Sequence, residues 1–468
     1  MVPPATDRKG VPRVAGHAQD NDWQSIGNDP LKYTGRSFRA GWVYHPTMKR
    51  NDPDRASTTQ APLDRALERR IRRHVHAPVH EWFATCAPGM EDLLAGEARA
   101  LNLPNPAPVP GGVVFSGKLV DGYRANLWLR IASRVLLRVA GFSARAPEEI
   151  VGGVRAIPWE AFLPRDIAIH LSVTRGESRI GSTGLVQTKI LDALTDRLRE
   201  VEGKPWTIAA HGAVPGEDDV DARPGQRLMA RLDRNRLVLS LDSSGDLLHR
   251  RGYRTFPGPA PIRETLAAGI LRFAGWDGAE SLVDPMCGSG TFPIEAAQIA
   301  CNLAPGRDRT FGFESWPSYR PATWSWLRGL AAEGVRKSGP SILGRDRDPS
   351  VLSGANGNAS RAGVDSTVRF EQADFFESNP PPGIAPGLVV INPPYGLRLD
   401  PALDTRRLFR DIGLRLSRHW AAWRYALVVP DESLIEAPGL PITGSMRVPH
   451  GGLRITVITG RIPAIGKR

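Results

Sequence analysis

The apolar positions of this chain fall into three regimes. Residues 1–79 show little apolar periodicity and carry many Pro, Asp, Asn, Gly and Arg residues. A segment that cannot bury enough apolar surface to offset the entropy of ordering stays disordered, so this stretch reads as a tail. Order is expected from Glu81. Residues 82–86 (Trp-Phe-Ala-Thr-Cys) read as a strand. Pro88 then opens a helix running to about Leu101, with Glu91 and Asp92 in its first turn, where the helix dipole favours acids. A Pro/Gly-rich turn at 104–112 leads to a strand at 113–115, a helix near 120–131 and an apolar strand at 135–140. From about Glu148 a second α+β unit follows. Residues 167–173 alternate as a half-buried strand, and 183–201 form an amphipathic helix with Ile190, Leu191, Leu194 and Leu198 on one face. Residues 227–234 and 236–241 then pair as a hairpin.

The third regime starts near Phe256. Strand-like segments near 281–283, 341–344, 368–371, 388–391, 425–429 and 454–458 alternate with helical ones. That order predicts an α/β, Rossmann-like, doubly wound parallel sheet, whose ligands sit at the carboxyl ends of the strands. The expected organisation is a disordered basic tail (1–79), a ferredoxin-like α+β subdomain (80–147), a second α+β domain (148–255) and the doubly wound domain (256–468).

Candidate chemistry begins where the strand at 388–391 meets Asn392-Pro393-Pro394-Tyr395. The prolines have no N–H to continue a ladder, and Pro394 holds Pro393 extended, so the strand must stop in a rigid turn. That turn presents the Asn392 amide, the Pro393 carbonyl and the Tyr395 ring. An amide oxygen and a carbonyl can both accept from one –NH2 group while the ring stacks on the flat group that carries it. Two acceptors draw the nitrogen lone pair out of conjugation, which suits methylation of a planar exocyclic amine. The same tetrapeptide also serves as an ordinary turn.

The residues upstream decide between these readings. Ser281-Leu282-Val283-Asp284-Pro285-Met286-Cys287-Gly288-Ser289-Gly290-Thr291-Phe292 reads as strand, glycine loop and the start of a helix. Together with Asn-Pro-Pro-Tyr it resembles the class I S-adenosylmethionine-dependent methyltransferases. A dinucleotide site fits poorly. Pro293 stands where the third glycine or alanine belongs, and the next strand-end acid, Asp346, lies 58 residues past Gly288 rather than about 20. The methyltransferase resemblance implies that Asp284 holds the methionyl ammonium of S-adenosylmethionine. Gly288 and Gly290 would admit it closely, with Thr291 starting the helix turn that faces it. Asp346 would bind the ribose, with Asp348 as the alternative. Asp374 matches the position that binds the adenine amine, and Phe375 would pack on that ring.

The resemblance narrows further at the N-terminal side. Phe83-Ala84-Thr85-Cys86-Ala87-Pro88-Gly89-Met90-Glu91 is similar to the opening of bacterial THUMP-domain RNA methyltransferases. The element order over 148–255 resembles the THUMP RNA-binding fold. Leu247-Leu248-His249-Arg250-Arg251-Gly252-Tyr253-Arg254 is similar to the basic element that follows it, with Arg250, Arg251 and Arg254 as expected phosphate contacts. The segment 307–337, with Trp316, Trp324 and Trp326, looks like an insertion the family shares. The family includes guanine-N2 methyltransferases of 23S ribosomal RNA without a fused second methyltransferase domain. By that resemblance Asn392 and the Pro393 carbonyl bind the guanine N2 amine and Tyr395 stacks a flipped base. Transfer-RNA guanine-N2 methylation, adenine-N6 methylation of DNA, and a non-catalytic RNA-binding assembly factor remain alternatives.

Charge agrees with a polyanionic partner. Net charge is +12, and residues 1–79 contribute half of it, fourteen Lys/Arg against eight Asp/Glu. Within that tail, 63–76 would form at most a short basic helix on RNA. Cys86, Cys287 and Cys301 have no metal-ligand spacing, and no metal is expected. Cys287 reads as a small packing residue. No apolar run reaches the roughly 20 residues of a bilayer span, and the N-terminus lacks a signal-peptide core, so a cytoplasmic location is expected.

Overall fold

The computed structural model describes residues 64–164, 168–202, 208–210, 225–255, 262–394 and 405–464. Its first element contradicts the reading of 1–79 as one tail. Helix α1 (Arg65–Ile71) continues into a π turn at Arg72–His76, and Leu67, Ile71 and Val75 are buried. Their spacing of four is one helical ridge, which the surrounding arginines hide in a composition count.

The first sheet comprises β1 (His80–Thr85), β2 (Ala107–Val109), β3 (Gly112–Gly117), β4 (Arg134–Ser143), β5 (Ile169–Arg175), β6 (Ile208–Ala210), β7 (Gln226–Asp233) and β8 (Arg236–Asp242). Four helices accompany it: α2 (Glu91–Ala100), α3 (Leu119–Trp128), α4 (Pro147–Arg155) and α5 (Thr183–Glu202). Period-2 burial follows the sequence pattern, with Trp82 and Ala84 inward on β1 and Ile169, Leu171 and Val173 inward on β5. The β7–β8 turn holds Arg234 and Asn235 at φ 48° and 59°, the positive-φ pair of a twisted two-residue hairpin.

Strand order is β2-β3-β1-β4-β8-β7-β5-β6. The β4–β8 ladder runs from Leu136↔Asp242 to Ser143↔Arg236, with a bulge between Arg138 and Ala140. The expected boundary at 147/148 therefore separates two parts of one continuous sheet.

The second sheet holds β9 (Leu282–Asp284), β10 (Ile342–Asp346), β11 (Val368–Gln372), β12 (Leu388–Ile391), β13 (Arg424–Val429), β14 (Gly444–His450) and β15 (Leu453–Arg461). Around it lie α6 (Glu264–Phe273), α7 (Thr291–Ala300), α8 (Pro321–Glu333), α9 (Pro349–Arg361) and α10 (Thr405–His419). Its order is β11-β10-β9-β12-β13-β15-β14. The pairs from β11 to β13 are parallel, whereas β15 runs antiparallel to both β13 and β14, so the sheet is mixed rather than wholly parallel. The sequence reading missed β14, an edge strand in which Pro449 needs no ladder donor. All four residues of β12 are buried, as expected for a strand covered on both faces.

The 307–337 insertion packs on the first sheet's module. Phe313 stacks on Tyr123 of α3 with centroids 4.3 Å apart, and Trp324 meets Phe313 edge-on at 5.2 Å. The Trp316 indole donates to Gln226 Oε1 at 2.7 Å. Trp326, on the outer side of α8, is exposed.

Candidate active site

Strand order brings the predicted acids together. Asp284 is the last residue of β9 and Asp346 the last of β10, whose register pairs Gly344 with Asp284. Asp374 lies two residues past β11, and the Ala373 N–H donates to the Asp346 carbonyl at 3.0 Å. Three carboxylates thus stand at adjacent strand ends.

The glycine loop closes over them. Asp346 Oδ2 accepts from the Gly288 N–H at 2.9 Å. Gly288 has φ +51°, and a Cβ there would meet nothing within 4 Å, so the loop backbone borders open space. Gly290, at φ +84°, serves packing instead, because a Cβ would come within 2.8 Å of the Phe370 ring. Asn358 of α9, fully buried, donates to the Ser289 carbonyl at 3.1 Å and pins the loop from behind. The sequence reading did not find Asn358. A polar residue within a helix looks solvated until its partner, 69 residues away, is known. The Cys287 thiol is buried and its pKa is pushed well up by that burial, consistent with a packing role.

Asp284 is 1 % exposed and accepts from the Met286 N–H at 3.2 Å. Burial pushes its carboxyl pKa well above the ordinary value, and the nearby Asp346 charge pushes the same way. No cation counters it among the described residues. Asp348 is engaged elsewhere. Its Oδ1 accepts from Ser350 N and Oγ at 2.8 and 2.7 Å as the N-cap of α9, and these bonds lower its pKa.

Two expected cofactor contacts point elsewhere. Phe375 is 2 % exposed, its ring packed into the core that includes Val283 and Leu343, while Phe376 stands exposed beside it. Thr291 is buried, and its hydroxyl oxygen accepts from Arg254 Nη2 at 2.8 Å. Asp374 Oδ1 accepts from the Phe376 N–H at 2.7 Å, which leaves its other oxygen for a ligand.

At the carboxyl end of β12, next to β9, Asn392 is half-buried and Pro393 buried. Asn392 Oδ1 is buried and has no hydrogen-bond partner among the described residues. An unpartnered buried acceptor costs about 1–3 kcal/mol, and at a strand's carboxyl end it is available to a donor from a ligand. Tyr395 lies outside the described residues.

This strand order and loop are those of class I methyltransferases, and comparison with known proteins agrees. Residues 251–453 match the RMKL-like methyltransferase domain, and residues 81–136 match the RlmL ferredoxin-like domain. The chain thus carries two domains of the RlmL-like methyltransferases, the ferredoxin-like one and a methyltransferase one. It is 37 % identical over 393 residues to the ribosomal RNA large subunit methyltransferase K/L of Syntrophotalea carbinolica, covering 82 % of this chain and 53 % of that protein. The protein of the same name from Marinobacter nauticus is 38 % identical over 357 residues, covering 74 % of this chain and 47 % of its own length. The chain therefore spans about half the length of these curated relatives. Among solved structures, a protein from Clostridium difficile 630 named as a possible methylase superposes with a TM-score of 0.71 at 28 % identity, covering 84 % of this chain and all of its own. A protein from Listeria monocytogenes, named as a predicted N6-adenine-specific DNA methylase, superposes equally well with a TM-score of 0.71 at 29 % identity, covering 82 % of this chain and 96 % of its own.

The cofactor of RlmL-like methyltransferases is S-adenosylmethionine, and the residues present fit it. A buried acid without a counter-charge suits an ammonium, and open space beside a glycine loop suits close backbone approach. No cluster among the described residues could hold a metal, and no helix there is long and apolar enough to cross a membrane.

The family's basic element, by contrast, does not face outward as expected. Arg251 is buried, donating to the Leu248 carbonyl at 2.6 Å and the Arg130 carbonyl at 2.5 Å and lying 3.7 Å from the fully buried Glu295. Arg254 pairs with Glu264 at 3.1 Å and donates to the Ile262 carbonyl at 2.8 Å. Both are ties between the modules, because their partners sit on α6, α7 and the loop after α3. Of the three, Arg250 is the most exposed, 3.8 Å from Asp246, and Arg254 is half-buried.

Proposed function

We propose that this chain transfers a methyl group from S-adenosylmethionine to the exocyclic N2 amine of a guanosine in large-subunit ribosomal RNA. The observation that carries the reading is the buried, unpartnered Asn392 Oδ1 at the end of β12. The strand order supports the way the cofactor would lie. From β11 through β10 and β9 to β12 is three strand spacings, roughly 14 Å, about the length of an extended adenosyl-methionine. Asp374 would take the adenine amine, Asp346 the ribose hydroxyls and Asp284 the ammonium, with Asn392 on the next strand, β12, beside Asp284's β9. Asp346 is preferred over Asp348 because it ends β10 and holds the glycine loop through the Gly288 N–H, whereas Asp348 caps α9.

S-adenosylmethionine, when bound, supplies an electrophilic methyl on a sulfonium, so this chain's own residues need only position, polarise and desolvate. Asn392 Oδ1 and the Pro393 carbonyl each accept one hydrogen of the amine and orient its lone pair toward the methyl. The amine nitrogen held by Asn392 and Pro393 would give up one proton to water as its lone pair forms the C–N bond to the methyl that the bound cofactor would supply, the C–S bonding pair staying with the cofactor. Tyr395 would hold the flipped base by stacking. The names of the curated relatives support ribosomal RNA, and the family resemblance supports guanine N2. A second reading, adenine-N6 methylation of DNA, is supported by the likeness to the Listeria protein, which is named as a predicted methylase of that kind. Labelled methyl transfer to RNA and to DNA from cells lacking this protein, followed by nucleoside analysis, tests both. N2-methylguanosine is expected, and N6-methyladenosine in DNA would overturn the assignment.

A further inference from the structure

The segment Arg65 to His76 lies ahead of both matched domains, which begin at residues 81 and 251. It is firmly seated. Besides its buried ridge of Leu67, Ile71 and Val75, Arg70 pairs with the buried Glu160 at 2.6 Å and His76 Nε2 bonds the Ser318 carbonyl at 2.9 Å. Asp64 caps the helix by accepting from the Ala66 N–H at 3.2 Å, and the Val75 carbonyl bonds His80 at 2.7 Å. The opposite face carries Arg65, Arg69, Arg72 and Arg73, all exposed and without an ion pair among the described residues. At helical spacing these four fall within roughly 100° of arc, facing away from the ridge. Glu68 is the only acid between Arg65 and His76.

Like charges four apart, as at Arg65/Arg69 and Arg69/Arg73, destabilise a helix by about 0.2–0.5 kcal/mol per pair. Here tertiary anchors hold the helix in spite of that repulsion, and a polyanion would relieve it. We propose that this arginine face docks the phosphate backbone of the RNA substrate, an inference that rests on the RNA reading above. Arg binds phosphate with a planar fork, and a pre-ordered helix loses little entropy when it does so. The test uses the full chain, protein-free large-subunit ribosomal RNA from cells lacking this protein, and the variant R65Q/R69Q/R72Q/R73Q. Gln keeps helix propensity at exposed positions and removes the Arg–Arg repulsion, so unchanged cofactor affinity and an equal or slightly higher Tm are expected. RNA affinity should fall tenfold or more at moderate salt. The slope of log affinity against log salt should become shallower by about 3, four contacts at ~0.7–0.9 each. Replacing the same residues with Lys should restore most of the slope. A glutamine variant that matches wild type in affinity and slope, while wild type still methylates the RNA, overturns the docking face alone. A wild type that neither binds nor methylates this RNA overturns both readings. Loss of binding to phosphatidylglycerol vesicles with RNA binding intact would assign the face to anionic lipid and also overturn the proposal.

Discussion

Replacing Asn392 with Ala separates a functional side chain from a structural one. Its Oδ1 is buried at the end of β12 and makes no hydrogen bond within the described protein. Leaving such an acceptor unpaired costs about 1–3 kcal/mol, so Ala removes a penalty as well as a few packing contacts. Stability is therefore expected to stay level or rise by about 1 kcal/mol, within that same range. The reaction should respond in the opposite sense. Losing one pre-organised acceptor at a reacting group raises the barrier by about 2.7–4 kcal/mol, a hundredfold to a thousandfold in rate. Cofactor affinity should not change, because its expected contacts lie on β9, β10 and β11. The assay is single-turnover methyl transfer with saturating cofactor and RNA, beside calorimetric cofactor binding and thermal unfolding. A variant within a few fold of the wild-type rate would refute the role given to Oδ1. A large drop in stability would show that the side chain serves the fold instead.

Three further outcomes follow from the same geometry. Asp346→Ala should weaken cofactor binding by about 1.5–3 kcal/mol, while Asp348→Ala should cost about 0.5–2 kcal/mol of stability as a lost N-cap and leave affinity alone; calorimetry and denaturant melts on both variants check this. The raised pKa of Asp284 means the cofactor-free fold binds its proton more tightly than the unfolded chain. Stability should therefore fall as pH rises from the ordinary carboxylate range toward that raised value, and Asp284→Asn should flatten the dependence and stabilise the cofactor-free protein at neutral pH while weakening cofactor binding. Arg251→Ala should destabilise by about 3–5 kcal/mol, because it takes the nearby cation from the buried Glu295, leaving it the Tyr253 hydroxyl, and unties the Leu248 and Arg130 carbonyls; if that variant instead folds normally and loses RNA affinity, the phosphate-contact expectation for Arg251 is restored.

Much of this protein was legible along the chain because the deciding interactions are local. Period-2 burial marked β1 and β5, the continuous apolar run marked β12, and two prolines stopped β12 where Asn392 is needed. Glycine at φ +51° and +84° after a strand-end acid marked the loop. These signals survive in one dimension because the residues that create them are neighbours. Tertiary structure alone decided the rest. Arg251 and Arg254 looked like a surface cluster until Glu295 and Glu264, on helices folded back against them, made burial tolerable. Thr291 and Phe375 occupied the expected positions, but their side chains were claimed by Arg254 and by the core. The helix at Arg65 was masked by its own charge, since Arg70 and His76 find their partners only when the distant Glu160 and Ser318 come beside them. Sequence spacing states what a residue can do. Whether a charge faces water or a buried partner is set by groups tens to hundreds of residues away, because burial is a property of the packed whole.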